Sequence, residues 1–297
     1  MKVSGFTICR NGIRLGFPFK ESIRSLAPLC DEIVIACGES EDSTLEELKK
    51  MGESLSCPLK ILETKWDMTT VKGGHELARQ TNLALDACGN ELCFYLQGDE
   101  VLHEADYEIL RKDLNRLDQS QRACSLLLQW VHFFGDQQSV IHSRRWYRKE
   151  IRVVKKSSGL RSYKDAQGFR KHSGSKWITL PTLESLARVY HYGWVRPPEL
   201  MALKTNEFQH WWHGAKGNHN KNTIFRPQYG VKKFEGTHPA IMRNYLTALP
   251  KSEVSFYESN HVPFSKETVR LFLTDCVERL SGWRVAEFKN YSEILDA

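Results

Sequence analysis

The first 117 residues alternate between short apolar runs that favour β-strands and longer stretches with an apolar stripe at helical spacing. A capping-box pattern, Ser43 with Glu46, predicts that one of the helices begins at Thr44. The apolar runs are 3–9, 33–37, 59–63 and 92–96, and the helical stretches are 18–29, 44–51, one opened by Gly73-Gly74, and 104–117. Strands that alternate with helices predict an α/β fold with a mostly parallel sheet and helices on both faces.

The composition excludes several classes of protein. With 41% hydrophobic and 26% charged residues, the 297-residue chain resembles a soluble globular protein rather than a disordered chain, a collagen or a coiled coil. Its longest uncharged apolar run, 123–135, is too short to span a bilayer, and its first residues lack the apolar segment of a signal peptide. The eight cysteines form no Cys-x-x-Cys pair, which argues against a zinc ribbon or a disulfide scaffold and predicts a reducing cytoplasm.

Charge is distributed unevenly along the chain. Residues 1–150 carry 19 basic and 23 acidic residues, a net of −4, whereas residues 151–297 carry 23 and 13, a net of +10. A basic second half suggests an anionic partner such as a phosphorylated ligand, a membrane surface or a nucleic acid. A solvated basic face explains the same charge equally well.

Polar residues follow three of the predicted strands. They are Arg10-Asn11 after the first strand, 37–41 after the second, and Gln97-Gly98-Asp99-Glu100 after the fourth. In an open α/β sheet, ligands bind in the crevice beyond the carboxyl ends of the strands. Carboxylates placed there are hard oxygen ligands that can hold Mg²⁺ or Mn²⁺ on a diphosphate, although an Asp in this position can also cap the next helix.

Several motifs of other nucleotide-binding and hydrolytic proteins are missing. The chain has no GxxxxGK[ST] phosphate loop, no GxGxxG after its first strand and no GxSxG elbow. These absences argue against P-loop NTPases, dinucleotide-dependent dehydrogenases and α/β-hydrolases.

Four segments resemble the family 2 glycosyltransferases of the GT-A fold in their order and spacing. They are Phe6-Thr7-Ile8-Cys9-Arg10-Asn11, the stretch from Asp31 to Thr44, Ala78-Arg79-Gln80-Thr81-Asn82 and Tyr95-Leu96-Gln97-Gly98-Asp99-Glu100. The resemblance covers about residues 3–110 well and continues more weakly through 145–152 and 189–192. It implies a GT-A-like fold in which 1–120 form a nucleotide-sugar-binding α/β half. Residues 121–297 then form a more irregular acceptor-binding half, within one continuous domain.

The resemblance implies a nucleotide-sugar donor with Mg²⁺ or Mn²⁺ on its diphosphate. Asp99 falls on the last Asp of the family's DxD motif, but Gln97 replaces the first, so Glu100 is the carboxylate that can help Asp99. His191 resembles a His that completes the metal site or touches the diphosphate in related enzymes. The residues implied to bind the donor are Cys9, Arg10, Asn11, Cys37, Glu39, Arg79, Gln97 and Gly98.

Catalysis in this family is inverting, with a carboxylate that takes the proton of the acceptor hydroxyl. The family's His-Glu pair is absent here, and Asp165 lies nearest its place, so Asp165 is the first candidate base, followed by Glu150 and Asp136. Trp194 is the aromatic residue that we expect to contact a sugar, whereas most of the other tryptophans should pack in the core. The expected acceptor is a glycan or a lipid-linked molecule at the inner membrane surface. The protein itself would be cytoplasmic or peripheral to that membrane.

Two further clusters are weaker candidates for function. His210, His213 and His219 could bind a transition metal, but no HExxH pattern supports this. The predicted helix 266–280 has an apolar stripe, which favours core packing or a dimer contact.

Two other functions stay open. One is a nucleotidyltransferase-like enzyme, for which the Cys9-Arg10-Asn11-Gly12 turn is a poor phosphate loop. The other is a non-catalytic protein that binds RNA or another anion, suggested by the basic half, although nucleic acid is not the expected partner.

Overall fold

The computed structural model of the protein describes residues 1–67, 73–213, 225–250, 254–287 and 289–294, and for 210–213 it describes the backbone alone. The histidine cluster proposed above therefore lies outside the described side chains. The strands are β1 (Val3–Cys9), β2 (Glu32–Gly38), β3 (Leu59–Thr64), β4 (Leu92–Tyr95), β5 (Glu100–Leu102), β6 (Ser125–Phe134), β7 (Ser139–Ile141), β8 (Lys149–Lys155), β9 (Leu160–Ser162), β10 (Phe169–Ser173), β11 (Lys176–Ile178), β12 (Pro181–Trp194), β13 (Val231–Lys233) and β14 (Ser292–Glu293).

Helices follow the predicted alternation through the first part of the chain. They are α1 (Phe19–Leu26), α2 (Thr44–Gly52), α3 (His75–Asp86), α4 (Tyr107–Gln119), α5 (Pro198–His213), α6 (Arg243–Ala248), α7 (Phe256–Ser259) and α8 (Lys266–Ser281). No helix among the described residues is both long enough and apolar enough to cross a membrane.

The strands β3, β2, β1 and β4 lie side by side in that order and are all parallel. Strand β8 continues this sheet antiparallel to β4, and β6 pairs with β8 on one side and with the long strand β12 on the other. Strands β4 and β6 are both antiparallel to β8 and therefore run in the same direction. Strand β12 is parallel to β6, so it also runs in the direction of β4. The carboxyl ends of β1, β2, β4 and β12 therefore meet at one edge of the sheet. This topology confirms the predicted α/β class, in which a parallel central sheet is flanked by helices.

Alternate residues of β4 pack on opposite faces of the sheet. Leu92, Phe94 and Leu96 pack with α1 and α4, whereas Cys93 and Tyr95 pack with α3. A parallel strand covered on both faces needs apolar residues at every position. This requirement explains why 92–96 is a continuous apolar run.

The sheet also crosses the predicted boundary at 120/121, because β4 pairs with β8. The division into donor and acceptor halves thus remains a prediction about function.

Helices α2 and α8 form where the sequence predicts them, but each differs from the prediction in one detail. Ser43 makes no side-chain cap at the start of α2, and the carboxylate of Asp42 accepts the backbone N–H of Thr44 at 3.0 Å instead. The apolar stripe of α8 does not pack in the core: Phe272 is 55% exposed and Leu280 is 90% exposed. The dimer contact remains a prediction.

A buried ion pair joins the turn after β4 to strand β8. The guanidinium of Arg152 donates to both oxygens of Glu100, at 2.8 and 2.7 Å, and both side chains are fully buried. A further nitrogen of Arg152 donates to the carbonyl of Gln167 at 2.8 Å. Glu100 in turn accepts the backbone N–H of Gln97 at 3.0 Å. The pair therefore fixes both the 97–100 turn and the loop between β9 and β10.

Arg152→Met should lower the free energy of unfolding by about 3–5 kcal/mol, because it leaves the carboxylate of Glu100 buried without a partner. Urea denaturation followed by circular dichroism measures the change. The matched control is Arg161→Met, which breaks the exposed pair with Asp86 and should cost at most about 1 kcal/mol. Equal losses for the two variants would contradict the role given to the buried pair.

Candidate active site

A cavity of about 420 Å³ opens at the edge where the parallel strands end. Its walls come from the end of β1, the turn after β4, the loop between β9 and β10, the end of β12 and one face of α5. Aromatic rings form much of the lining: Phe17, Trp66, Tyr147, Trp194 and Phe208. Such a site, largely apolar with a few converging charges, is typical of a small-molecule pocket.

Asp99 lies in this cavity among basic groups. Its Oδ2 accepts a hydrogen bond from the ammonium of Lys204 at 3.0 Å and lies 3.9 Å from a nitrogen of Arg196. Its Oδ1 lies 3.8 Å from Nε2 of His191. Burial alone would raise the pKa of Asp99, but the positive charges of Lys204 and Arg196 outweigh burial and hold that pKa well below its usual value. Asp99 is therefore ionised and paired at neutral pH.

Lys204 reaches Asp99 from α5. Its ammonium also donates to the carbonyl of Gly193 at 2.7 Å, and burial lowers its pKa to about 8, while Asp99 counteracts that effect. Gly193 is required at this point because a Cβ there would lie 2.4 Å from Nε2 of His191 and 2.9 Å from Oδ2 of Asp99. The three side chains and the glycine thus form one closely packed unit.

The hydrogen bonds of two histidines fix the protonation of His191. Nε2 of His132 lies 2.8 Å from the carbonyl of Tyr147, which can only accept, so this nitrogen carries a proton. Burial lowers the pKa of both histidines, so both are neutral. Nδ1 of His132 must then accept from Nδ1 of His191 at 3.1 Å. Nε2 of His191 therefore presents a lone pair toward Asp99.

Asp165 lies in the cavity wall formed by the loop between β9 and β10. Its neighbours Lys164 and Ala166 adopt left-handed backbone conformations, with φ of 54° and 60°, and such strain is common at functional sites. The carbonyl of Ala166 accepts the side-chain amide of Gln97 at 3.1 Å. Gly74, which begins α3 with a φ of 72°, packs so closely on Asp165 that a Cβ would lie 2.7 Å from its side chain.

Burial raises the pKa of Asp165, an effect that backbone N–H groups offset in part. Asp99 and Asp165 thus share a cavity but have opposite electrostatic environments. Other predicted site residues that line the cavity are Cys9, Arg10, Gln97, Gly98 and His191, and Trp194 lies there as expected.

The remaining predicted residues lie outside the cavity lining. Cys37 is buried beneath it, and burial raises the pKa of its thiol to about 11. Asn11 accepts the backbone N–H of Glu41 at 2.8 Å and so holds a loop. Glu39 is exposed, and Arg79, which is about half exposed on α3, pairs with the buried carboxylate of Glu76. None of these positions offers a direct contact to a molecule in the cavity.

Two of the three candidate bases also lie elsewhere. Asp136 accepts the backbone N–H groups of Gln138 and Phe256 in a turn after β6. Glu150 is buried, and burial raises its pKa to about 7. Asn290 donates to its carboxylate at 2.8 Å, away from the cavity. Asp165 is therefore the candidate base that a substrate in the cavity could reach.

The predicted metal site does not form from Asp99, Glu100 and His191. Glu100 is turned away from the cavity into its pair with Arg152, and the described residues contain no group of three or more His, Cys, Asp or Glu side chains suited to a metal. The single negative charge of Asp99 is already matched by Lys204 and Arg196. Two unit charges 4 Å apart near a protein surface repel by about 4 kcal/mol. A divalent ion beside Lys204 would meet about twice that repulsion, so the residues present do not fit a divalent metal.

Sequence reasoning missed three charged residues at this site. Lys204 and Glu207 lie on the cavity face of α5, and Arg196 lies just beneath Asp99. Glu207 pairs with Arg10 at 2.5 Å and so balances the charge of that guanidinium. The Val195-Arg196-Pro197-Pro198 run was visible in the sequence. Nothing local, however, indicated that the helix after it folds back over the turn at 97–100.

No family model matches the chain, and a comparison with curated proteins finds no match. Among solved structures, S. aureus TarS 1–349 in complex with UDP-GlcNAc is similar over 48% of this chain and 38% of its own length, with 21% identity and a TM-score of 0.35. Another structure of S. aureus TarS 1–349 is similar over 70% of this chain and 64% of its own, with 15% identity and a TM-score of 0.38.

A third similar structure is glucosyl-3-phosphoglycerate synthase from Mycobacterium tuberculosis in complex with Mn²⁺, UDP and phosphoglyceric acid. It covers 45% of this chain and 44% of its own, with 14% identity and a TM-score of 0.30. The chain thus spans 38 to 64% of the length of these three structures. Similarities of this size assign no family, and the fold class rests on the strand order described above.

Asp99→Asn should lower the free energy of unfolding by about 3 kcal/mol at pH 7, because Lys204 and Arg196 then stay buried without a counter-ion. This decrease in the free energy of unfolding should reach its full size above pH 3.8, the ordinary pKa of Asp. It should shrink as the pH falls from there toward the depressed pKa of the folded state, since the wild-type carboxyl is then neutral as well. Urea denaturation from pH 2 to 8 measures this dependence.

The control variant is Glu63→Gln, which removes an exposed partner of Lys49 and should change stability by less than about 1 kcal/mol. A second check is the double variant Asp99→Asn/Lys204→Met, which should cost less than the two single changes together. Additive losses would show that Asp99 and Lys204 are not coupled.

Proposed function

We propose that this protein transfers a sugar from a nucleotide-sugar donor to a hydroxyl group of an acceptor, with inversion at the anomeric carbon. The observation that carries the proposal is the pair of carboxylates, Asp99 and Asp165, in one cavity. Asp99 is surrounded by cations, which suits a site for a diphosphate, and Asp165 has a raised pKa, which suits a proton acceptor. We also propose that the protein is a family 2 glycosyltransferase, because its motifs resemble those of that family in order and spacing.

The donor's diphosphate would bind beside Lys204, where positive charge exceeds negative charge. The nucleoside would extend toward Trp66, whose ring lies 5.7 Å from the guanidinium of Arg10. A flat aromatic face backed by a fixed cation is a stacking surface for a base of any identity. Trp194 and Phe208, which also line the cavity, give apolar faces on which a pyranose can pack.

In the proposed reaction, the acceptor's hydroxyl oxygen attacks the anomeric carbon from the side of Asp165. The carbon–oxygen bond to the diphosphate breaks, and its electron pair stays on the departing phosphate oxygen. The hydroxyl proton passes to the carboxylate of Asp165. This single displacement inverts the anomeric carbon and leaves a nucleoside diphosphate beside Asp99 and its cations.

The nucleotidyltransferase alternative lacks a usable phosphate loop. After β1, the backbone N–H of Asn11 donates to Ser40 at 3.0 Å, and the backbone N–H of Gly12 donates to Thr44 at 2.8 Å. Donors that already have side-chain acceptors are not free to bind phosphate oxygens. The geometry therefore favours sugar transfer over nucleotidyl transfer.

The acceptor class and the location complete the proposal. We propose a glycan or a lipid-linked molecule as acceptor, and a cytoplasmic protein that can lie against the inner membrane surface. A thermal-shift screen of UDP-, GDP-, CMP- and dTDP-sugars tests the donor, since a ligand that binds the folded form raises its melting temperature. If none of these compounds stabilises the protein, the proposal is wrong.

Asp165→Asn should lower the rate of sugar transfer by about 10²–10⁴-fold, because the amide cannot accept the hydroxyl proton. Donor affinity should stay within about twofold, since in the proposed reaction Asp165 takes the proton of the acceptor and does not bind the diphosphate. Steady-state kinetics and calorimetric titration with the donor identified above separate the two effects. The control is Glu150→Gln, which should keep most of the activity. A larger rate loss in this control than in Asp165→Asn would show that Glu150 is the base.

A further inference from the structure

Lys204 lies in the cavity wall beside Asp99, where the proposed function places the donor's diphosphate. It touches Asp99 and the carbonyl of Gly193, and no described residue accepts its third N–H. The rings of Phe17, Trp194 and Phe208 lie 5.3, 5.9 and 5.5 Å from this nitrogen. Aromatic faces at these distances attract a cation. The ammonium is thus held at the cavity wall with one donor left for a ligand.

Arg196 places a second positive charge close to Asp99. Its side chain is fully buried, and one nitrogen donates to the carbonyl of Leu15 at 2.8 Å. Its Nε and Nη2 have no hydrogen-bond partner, although Nη2 lies 3.9 Å from Asp99. Unsatisfied buried donors are rare and costly. Their presence here indicates a site built with more positive charge than Asp99 alone balances.

The charged groups in contact with Asp99 carry more positive than negative charge before a donor binds. Asp99 contributes one negative charge, Lys204 and Arg196 contribute two positive charges, and Arg10 is balanced by Glu207. A typical metal site in a transferase combines carboxylates with a divalent ion. Its positive charge exceeds its negative charge to a similar degree only after the ion binds. In this chain the excess is supplied by side chains.

We propose that Lys204, supported by Arg196, takes the place of the divalent cation in this protein, so that the donor's diphosphate is bound and released without a metal. The inference rests on the function proposed above. When the bond between the anomeric carbon and the phosphate oxygen breaks, the electron pair on that oxygen is stabilised by the ammonium, which keeps its proton. Asp99 then serves as a positioning residue that holds Lys204 rather than as a metal ligand.

The first test compares binding with and without metal. The wild-type protein is titrated calorimetrically with UDP, GDP and dTDP in the presence of EDTA, and again in the presence of Mn²⁺. We expect at least one nucleoside diphosphate to bind with the same affinity within about twofold in both buffers. Binding that requires Mn²⁺ overturns this inference alone. No binding in either buffer overturns the proposed function, and the inference falls with it.

The second test replaces Lys204. With EDTA present, Lys204→Met should lower the turnover of the donor by about 10²–10³-fold, the loss typical of removing one fixed donor to a developing oxyanion. Lys204→Arg keeps the positive charge and should retain much more activity. The control, Lys49→Met, removes an exposed lysine on α2 and should leave turnover unchanged.

Lys204→Met also provides a readout that a purely structural role of Lys204 would not change. Without the ammonium, the carboxylate of Asp99 and the lone pair on Nε2 of His191 face each other as two potential metal ligands 3.8 Å apart. Millimolar Mn²⁺ should therefore raise the activity of Lys204→Met about tenfold. It should not stimulate the wild type. Stimulation of the wild type by Mn²⁺, or normal diphosphate affinity of Lys204→Met in EDTA, would overturn the inference.

The affinity for UDP should also depend on the protonation of Lys204. The groups that face it are Asp99, which stays ionised, Arg196, which stays charged, and His191, which stays neutral above pH 7. Burial lowers the pKa of Lys204 to about 8, so affinity should be greatest near pH 7 and should fall as the pH rises through 8, because the free protein loses the proton. Lys204→Arg should abolish the fall. A flat wild-type profile up to pH 10 would contradict the role of the ammonium.

Discussion

The buried pair of Arg152 and Glu100 is the interaction on which the site depends. The guanidinium lies 4.4 Å from the ring of Trp130 and binds Glu100 through two nitrogens, while a third binds the carbonyl of Gln167. One rigid, planar cation therefore holds two loops that are far apart in sequence. The first loop carries Asp99 and the second carries Asp165. The hydrogen bond from the side-chain amide of Gln97 to the carbonyl of Ala166 adds a second link between the same two loops.

Much of the fold could be predicted because the relevant signals are local. The strands 3–9 and 92–96 and the helices that separate them follow from the spacing of apolar residues, and β1 begins and ends at the predicted residues. The direction in which Glu100 points is not a local property. It depends on Arg152, which lies 52 residues later on an antiparallel strand. A carboxylate after a buried strand can face the cavity or the core, and sequence spacing alone does not distinguish these orientations.

The same limit explains which site residues were missed. Asp99, Asp165, His191 and Trp194 were found because they end strands or match a motif, whereas Lys204 is one charged residue on an otherwise ordinary helix. Its role depends on α5 folding back over the end of β12, a contact that no local pattern encodes. Helix α8 shows the converse case: its apolar stripe predicted burial, yet residues such as Leu280 lie exposed.

In the proposed mechanism, Lys204 supplies the positive charge that a metal would supply, and this changes the role of Asp99. A buried ammonium loses charge easily, and burial alone would bring the pKa of Lys204 below its present value of about 8. Asp99 opposes that effect because an anion 3.0 Å away favours the protonated form. At neutral pH the carboxylate therefore keeps the neighbouring amine charged. In the proposed mechanism, Asp99 therefore acts on the diphosphate only through Lys204. The partner of the acid that follows β4 is thus a side chain of the protein itself, which reaches it from α5.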